Sequence, residues 1–345
     1  MAYTNINKSK EHFETTTYTG GATDVSTLNF KPDFVWAKKR SGSENHGLFD
    51  AVRGATKTLS SNATSAESTR SGSLTSFDND GWSMGGSDGI ISASGSTYVG
   101  WAWKANGTGS ANTDGSINST VSANTTSGFS IVSYTGNGST SQTVGHGLGA
   151  SPSMVIIKNR DVSTEGWWTQ HTSFASGTYY NRLNSTDSTG NSGGTNIFNG
   201  FPTSTVFNIN DGNGVNKSGS DFIAYCFAEK TGFSKFASYT GTGVEEGTFV
   251  YTGFKPAFVM VKRTNTTSDW VICDSTRDTD NGVFKKLFPN LSQAEDSYVS
   301  FDFLSNGFKL RTDNGGINGG GDPHIYMAFA EAPLVGTNNV PCTAR

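Results

Sequence analysis

Cysteine is scarce in this chain: Cys226, Cys273 and Cys342 are the only three in 345 residues, and their spacing offers no disulfide framework. Cys226 and Cys273 lie in apolar, strand-like runs, where a thiol is expected to act as a small hydrophobe. Charge is also sparse, at 16% of residues with a net charge of −4. The densest basic patch is Lys38-Lys39-Arg40, read as a solvated strand end, so binding to nucleic acid by neutralising phosphates is disfavoured. No stretch approaches 18 consecutive apolar residues, which excludes a membrane-spanning helix. Met1 to Glu14 is polar with no apolar core, so no secretory leader is expected. Helical periodicity is missing too, with only Ser65-Ala66-Glu67 and Ser292–Asp296 expected to form single short turns.

What the chain does have is glycine, serine, threonine and asparagine in abundance, together with aromatics at 12%, among them 23 Phe. Such aromatic and β-branched content can bury a core, so the low charge does not mean disorder. One phrase comes round three times. It opens on Tyr18-Thr19-Gly20, Tyr134-Thr135-Gly136 and Tyr239-Thr240-Gly241. It continues through Pro32-Asp33-Phe34-Val35-Trp36, Pro152–Lys158 and Pro256–Lys262, and closes on the aromatic runs Tyr98–Trp103, Phe222–Phe227 and Ile325–Phe329. The prolines at 32, 152 and 256 are 120 and 104 residues apart. That pitch is too long for a solenoid and suits a whole small domain.

The elements read as strands and turns. Phe129–Tyr134 and Tyr225-Cys226-Phe227 alternate with period two. Phe258–Val261 is a continuous apolar run, expected to be buried on both faces, with Pro256 confined to its start. Gly81 and Gly307 follow Asp80 and Asn306, the mark of tight hairpins. Seven or eight short strands per repeat predict an all-β chain of three tandem β-sandwich domains, jelly-roll or lectin-like. The expected division is an arm over 1–12, repeat one over 13–104, a Gly/Ser/Thr/Asn-rich linker over 105–128, repeat two over 129–231, repeat three over 232–333 and a tail over 334–345. A short strand is expected within the linker at Ser116–Val121, and the brief junction at Thr231-Gly232 predicts close contact between repeats two and three.

Candidate chemistry is thin. An Asp–Arg pair recurs as Asp50/Arg53 and Asp274/Arg277, while repeat two has His171 and no arginine at the matching place. The pair reads as a salt bridge pinning an exposed loop, worth at most ~1 kcal/mol. Asn62…Glu67 and Asn290…Glu295 recur at equal spacing and read as structured turns. No second carboxylate recurs beside them, so the acid–base pair of a glycosidase is not found, and no catalytic residue is assigned. Asp78-Asn79-Asp80-Gly81 and Asp211-Gly212-Asn213-Gly214 lack the spacing of a calcium loop and read as Asx turns. The five histidines are scattered, so no metal site and no cofactor is expected. Gly145–Gly149 precedes a strand rather than a helix and is no phosphate loop. The candidates for ligand contact are aromatic: Trp167, Trp168, Tyr179, Tyr180 and Trp82, whose planes suit the apolar faces of sugar rings.

Several phrases, Leu48–Lys57, Tyr134–Gly138 with Val144–Gly149, Asp302–Arg311 and Ala328–Pro333, resemble a repeat of tail-fibre-like structural proteins of tailed bacteriophages, especially marine and cyanobacterial ones. The resemblance covers Phe13 to Arg345. It implies a non-enzymatic virion component, made in the host cytoplasm and partnered by other virion proteins. Its leading expectation is a tail-associated receptor-binding protein that contacts host-surface glycan as a homo-oligomer, a trimer or ring. The alternative is a capsid or tail decoration protein acting through protein contacts. The short arm and the absence of a coiled-coil shaft fit a compact knob better than a long fibre.

Overall fold

The computed structural model describes residues 3–21, 23–194 and 196–335. The chain is all-β, with antiparallel sheets throughout. Repeat one supplies β1 (Phe13–Thr19), β2 (Asp24–Val25), β3 (Phe34–Lys39), β4 (Gly47–Asp50), β5 (Lys57–Thr58), β6 (Ser68–Thr69), β7 (Leu74–Asp78), β8 (Gly81–Met84) and β9 (Thr97–Trp103). Next come β10 (Ser110–Asn112), β11 (Ser119–Asn124), β12 (Phe129–Thr135), β13 (Gln142–Gly145), β14 (Met154–Asn159), β15 (Trp167–His171), β16 (Tyr179–Arg182), β17 (Gly190–Asn191), β18 (Val206–Ile209) and β19 (Asp221–Phe227). Repeat three holds β20 (Ser234–Thr240), β21 (Phe249–Tyr251), β22 (Phe254–Arg263), β23 (Trp270–Asp274), β24 (Val283–Lys286), β25 (Asp296–Leu304), β26 (Gly307–Leu310) and β27 (Pro323–Pro333). The four-residue helices α1 (Asn213–Asn216) and α2 (Gly315–Asn318) occupy matching places in repeats two and three. The turns expected at Ser65–Glu67 and Ser292–Asp296 are not helical.

Each repeat builds one sheet with the same core order: β1-β9-β3-β4, then β12-β19-β14-β15, then β20-β27-β22-β23. A second set of strands accompanies each: β2-β8-β7 in the first, β13-β18 in the second, β21-β26-β25-β24 in the third. The first set is buried on both faces, which explains its near-continuous apolar runs. On β19, Ile223, Tyr225 and Phe227 point to a cluster shared by all three repeats, while Phe222, Ala224 and Cys226 point to a cluster of repeat two alone. On β22, Phe258 and Met260 reach the shared cluster, and Val259 and Val261 the private one. At the shared centre Phe13 stacks on Phe329 at 4.8 Å, Phe34 on Tyr225 at 4.3 Å, and Trp103 meets Phe227 edge-on at 6.3 Å. The three repeats therefore close around one aromatic core rather than standing apart.

Two local expectations need revision. The stretch read as a linker contributes β10 and β11, and β11 pairs along the whole of β12 from Ser119↔Tyr134 to Asn124↔Phe129. Pro256 lies inside β22 rather than at its start, tolerated because the ladder bulges there between Lys255 and Phe258. Cys226 and Cys273 are buried free thiols, as read from their surroundings. Cys342 and most of the tail, 336–345, lie outside the described residues, as do Met1 and Ala2 of the arm.

Candidate functional site

The recurring polar residues meet between repeats. At the seam of repeats one and two, Asp50 pairs with Arg53, which donates to Glu67 at 3.2 Å; Arg160 of repeat two grips Glu67 through two bonds of 2.9 and 3.0 Å. The Tyr225 hydroxyl donates to Asp50 at 2.8 Å. At the seam of repeats three and one the chain is rebuilt. Arg277 contacts Asp274 at 2.6 Å and Glu295 at 3.1 Å, Arg40 grips Glu295 at 2.8 and 2.9 Å, and the Trp101 indole N–H donates to Asp274 at 3.0 Å. The Asp and Arg side chains of both pairs are fully buried. They are structural centres, not the exposed loop pins expected from sequence.

Burial opposes charge on Arg53, but Asp50, Tyr225 and Glu67 outweigh it and hold the guanidinium above its ordinary value. Burial likewise opposes charge on Glu67 and Glu295, and the paired arginines overcome it, keeping both carboxyls below their usual range. These groups neutralise one another, so their charge holds the seams together.

The third seam, between repeats two and three, lacks the charged chain. His171 and Phe174 stand where the other repeats have Asp and Arg. His171 Nδ1 accepts the Ser173 amide at 3.1 Å, which fixes the proton on Nε2, and Nε2 faces the Tyr326 carbonyl at 3.2 Å. Thr264 stands where the other repeats have Arg40 and Arg160, and Arg263, one place earlier, turns to Asp322 at 2.7 Å. What all three seams share is a buried lysine at the end of the apolar motif. Lys38, Lys158 and Lys262 donate at 3.1 Å each to the carbonyls of Ser292, Thr64 and Thr186 in the neighbouring repeat. Burial lowers each of these lysines to about 8.

The aromatic residues singled out from sequence do not form one surface. Trp82 and Trp167 are fully buried and unavailable to a ligand. Trp82 sits under Gly100, where a Cβ would come within 2.7 Å of the indole. Trp167 joins the shared core and donates its indole N–H to the Ser60 carbonyl at 2.8 Å. Adjacent strand residues face opposite ways. Trp168 and Tyr180 therefore pack half-buried against the private cluster of repeat two, while Tyr179 packs against the shared core.

The exposed large apolar side chains are others: Phe201, Val244, Phe249, Tyr251, Phe284 and Tyr298. The signal for two of them was legible in Phe249-Val250-Tyr251, where alternation puts both aromatics on one face. The chain buries Val250 and exposes the rings. Among the described residues no three His, Cys, Asp or Glu side chains gather as a metal site. Asp78 accepts the hydroxyls of Ser76 and Ser83 at 2.8 and 2.6 Å.

The chain belongs to a family described as a domain of unknown function, DUF7483, whose model matches residues 8–333. That match runs through all three repeats to the end of β27. No curated protein and no solved structure matches the chain.

Proposed function

We propose that this protein is a non-enzymatic virion component of a tailed bacteriophage that attaches to glycan on the host surface, and that its third repeat makes the contact. Each repeat reads as a two-sheet β-sandwich of jelly-roll or lectin type, the three fused around a common core. The observation that carries the reading is where the exposed large apolar side chains lie. Among the described residues, Val244, Phe249, Tyr251, Phe284 and Tyr298 belong to repeat three and Phe201 to repeat two. Aromatic rings left in water on an otherwise hydroxyl-rich surface are what sugar stacking needs. The buried seams supply a scaffold on which such a surface is held rigid, and weak sites become effective when many copies on one particle bind together. That multivalency would come from a homo-oligomer, a trimer or ring, bound to other virion proteins.

A second reading, decoration of the capsid or tail through protein contacts, draws support from open sheet edges. In repeat two the edge of β12 is covered by β11, whereas the matching strands β1 and β20 end their sheets. A bare edge can accept a strand from a partner. Labelling purified virions with an antibody against residues 129–333, followed by electron microscopy, separates the two. Label on the tail with binding on a glycan array supports attachment. Label at lattice spacing over the head sinks attachment in favour of decoration.

A further inference from the structure

Among the positions at which repeats two and three differ, one opens a pocket. Strand register sets Trp168 opposite Ile157 beside Trp167, and Val271 opposite Val261 beside Trp270. Val271 thus stands where repeat two has Trp168. In repeat two the Trp168 indole meets Tyr180 edge-on at 4.9 Å, lies 5.9 Å from the Arg182 guanidinium, and presses on α1 at Gly214, where a Cβ would come within 1.9 Å of Nε1. In repeat three the corresponding space, bordered by Val271, Lys286, Phe288 and Gly316 of α2, is a cavity of about 210 Å³.

The walls are specific. Lys286 Nζ lies 4.8 Å from the Tyr298 ring centre, 5.7 Å from that of Phe288 and 3.2 Å from Asp296, which fixes the ammonium beside two aromatic rings. Tyr298 is 42% exposed, and its hydroxyl accepts from Thr312 at 3.0 Å. Ser268, Asp269 and Asn314 complete the polar side of the cavity.

We propose that this pocket binds a single pyranose ring of a carbohydrate, in the place an indole fills in repeat two. The inference rests on the glycan-attachment reading above and gives it a site. A six-membered ring fits by size, because the homologous space holds the larger indole of Trp168. The polar wall selects its chemistry. Ser268, Asp269, Asn314 and Lys286 each have a partner within the protein, and they keep further hydrogen-bonding capacity that a hydrocarbon occupant would strip of water without replacing. A polyhydroxylated ring offers its apolar face to Tyr298 and Phe288 and its hydroxyls to the polar wall.

The test uses the full chain. Saturation-transfer NMR is run with the methyl α-pyranosides of glucose, mannose and galactose, with N-acetylglucosamine and with indole, beside a glycan array. Binding of at least one sugar is expected, weakened tenfold or more by V271W, which fills the pocket as repeat two does, and by Tyr298→Ala. Glu246→Ala, whose partners Lys309 and Arg311 lie outside the pocket, should leave it unchanged. If V271W fails to fold, Tyr298→Ala decides, since that side chain is exposed. Sugar binding that survives Tyr298→Ala overturns the pocket assignment and leaves glycan attachment standing. Absence of any sugar binding, on the array as well, overturns both. Binding of indole with no pyranoside overturns the proposal in favour of an aromatic side chain from a protein partner.

Discussion

Arg40 and Glu295, 255 residues apart in sequence, meet through two hydrogen bonds of 2.8 and 2.9 Å. That contact joins the third repeat back to the first. Repeat one also binds repeat two through Glu67 and Arg160, and repeat two binds repeat three through Lys262 and Thr186. The contacts run head to tail and close, as in a heterologous ring, but within one chain.

Removing the shared carboxylate should open that closure. Glu295→Ala leaves Arg277, whose side chain is fully buried, without its second carboxylate, and deprives Arg40 of its partner. Breaking a buried pair from one side costs about 3–5 kcal/mol. A loss in that range is expected from urea denaturation, with Glu67→Ala behaving alike. Glu246→Ala, whose partners Lys309 and Arg311 sit at the surface, serves as control and should leave the midpoint in place. Equal midpoints for all three variants and wild type would refute the view that these chains hold the seams.

The apolar seam allows a converse experiment. His171→Asp alone buries a carboxylate with no arginine within reach, and Phe174→Arg alone buries a guanidinium with no carboxylate. Each should be strongly destabilising. Together they rebuild the pair found at the other two seams, so the double variant should be more stable than the sum of the singles by about 1–3 kcal/mol. A cycle that closes additively means the equivalence of the three seams is wrong.

How much of this was legible beforehand follows from which forces act locally. The thrice-repeated phrase, the hairpins at Gly81 and Gly307 and the buried thiols depend on neighbours in sequence, and the structure has them where expected. The recurrence of Asp–Arg and Asn…Glu was visible, as was its lapse at His171, but not its burial. Whether a pair lies at a surface or in a seam depends on Arg160 and Tyr225 arriving from another repeat. The burial of the aromatic candidate Trp167 has a related reason. In a sheet covered on both faces, neither phase of the alternation faces water, so Trp167 and Trp168 are each directed into a cluster. In Phe249-Val250-Tyr251 the alternation was visible, but that its aromatic face meets water goes with β21 lying at the end of its sheet.

Acid should loosen the molecule earlier than its carboxylates alone would require. Burial pushes His46 down to about 3, and His171 and His324 to about 4, from an ordinary value near 6.5. The geometry agrees for the two seam histidines. His46 Nδ1 accepts the Trp36 indole N–H at 2.9 Å with Nε2 toward the Phe288 carbonyl, so neither ring can take a second proton without meeting a donor. Well above pH 6.5 both native and unfolded histidines are neutral, and stability is at its full value. Between 6.5 and about 4 the unfolded chain binds protons that the native chain refuses, so stability falls as pH falls. The slope is about 1.4 kcal/mol per pH unit for each histidine that titrates only when unfolded. Urea midpoints at pH 7.5, 6.5, 5.5 and 4.5 should fall slightly across the first interval and more steeply over the next two. A flat profile down to pH 4.5 would show these rings to be accessible.

The buried tryptophans give the last separation, between scaffold and surface. Trp82 and Trp167 were both attractive as sugar platforms from sequence, yet both are fully buried. Trp167 spans a seam, since its indole N–H reaches Ser60 of the preceding repeat, and Trp270 repeats the contact with Arg182 at 3.0 Å. Trp167→Ala and Trp82→Ala should each cost about 3–5 kcal/mol from the cavity they leave, with Trp167→Ala also stranding the Ser60 carbonyl. Tyr298→Ala, at a half-exposed ring, should barely move the thermal midpoint. Thermal melts of the three variants beside their sugar binding make the comparison direct. The two tryptophan variants should lose stability and, where still folded, keep their affinity, whereas Tyr298→Ala should lose affinity and keep its stability. A folded Trp82→Ala protein with normal melting and no sugar binding would return that residue to the surface and unseat the division between buried scaffold and exposed third repeat.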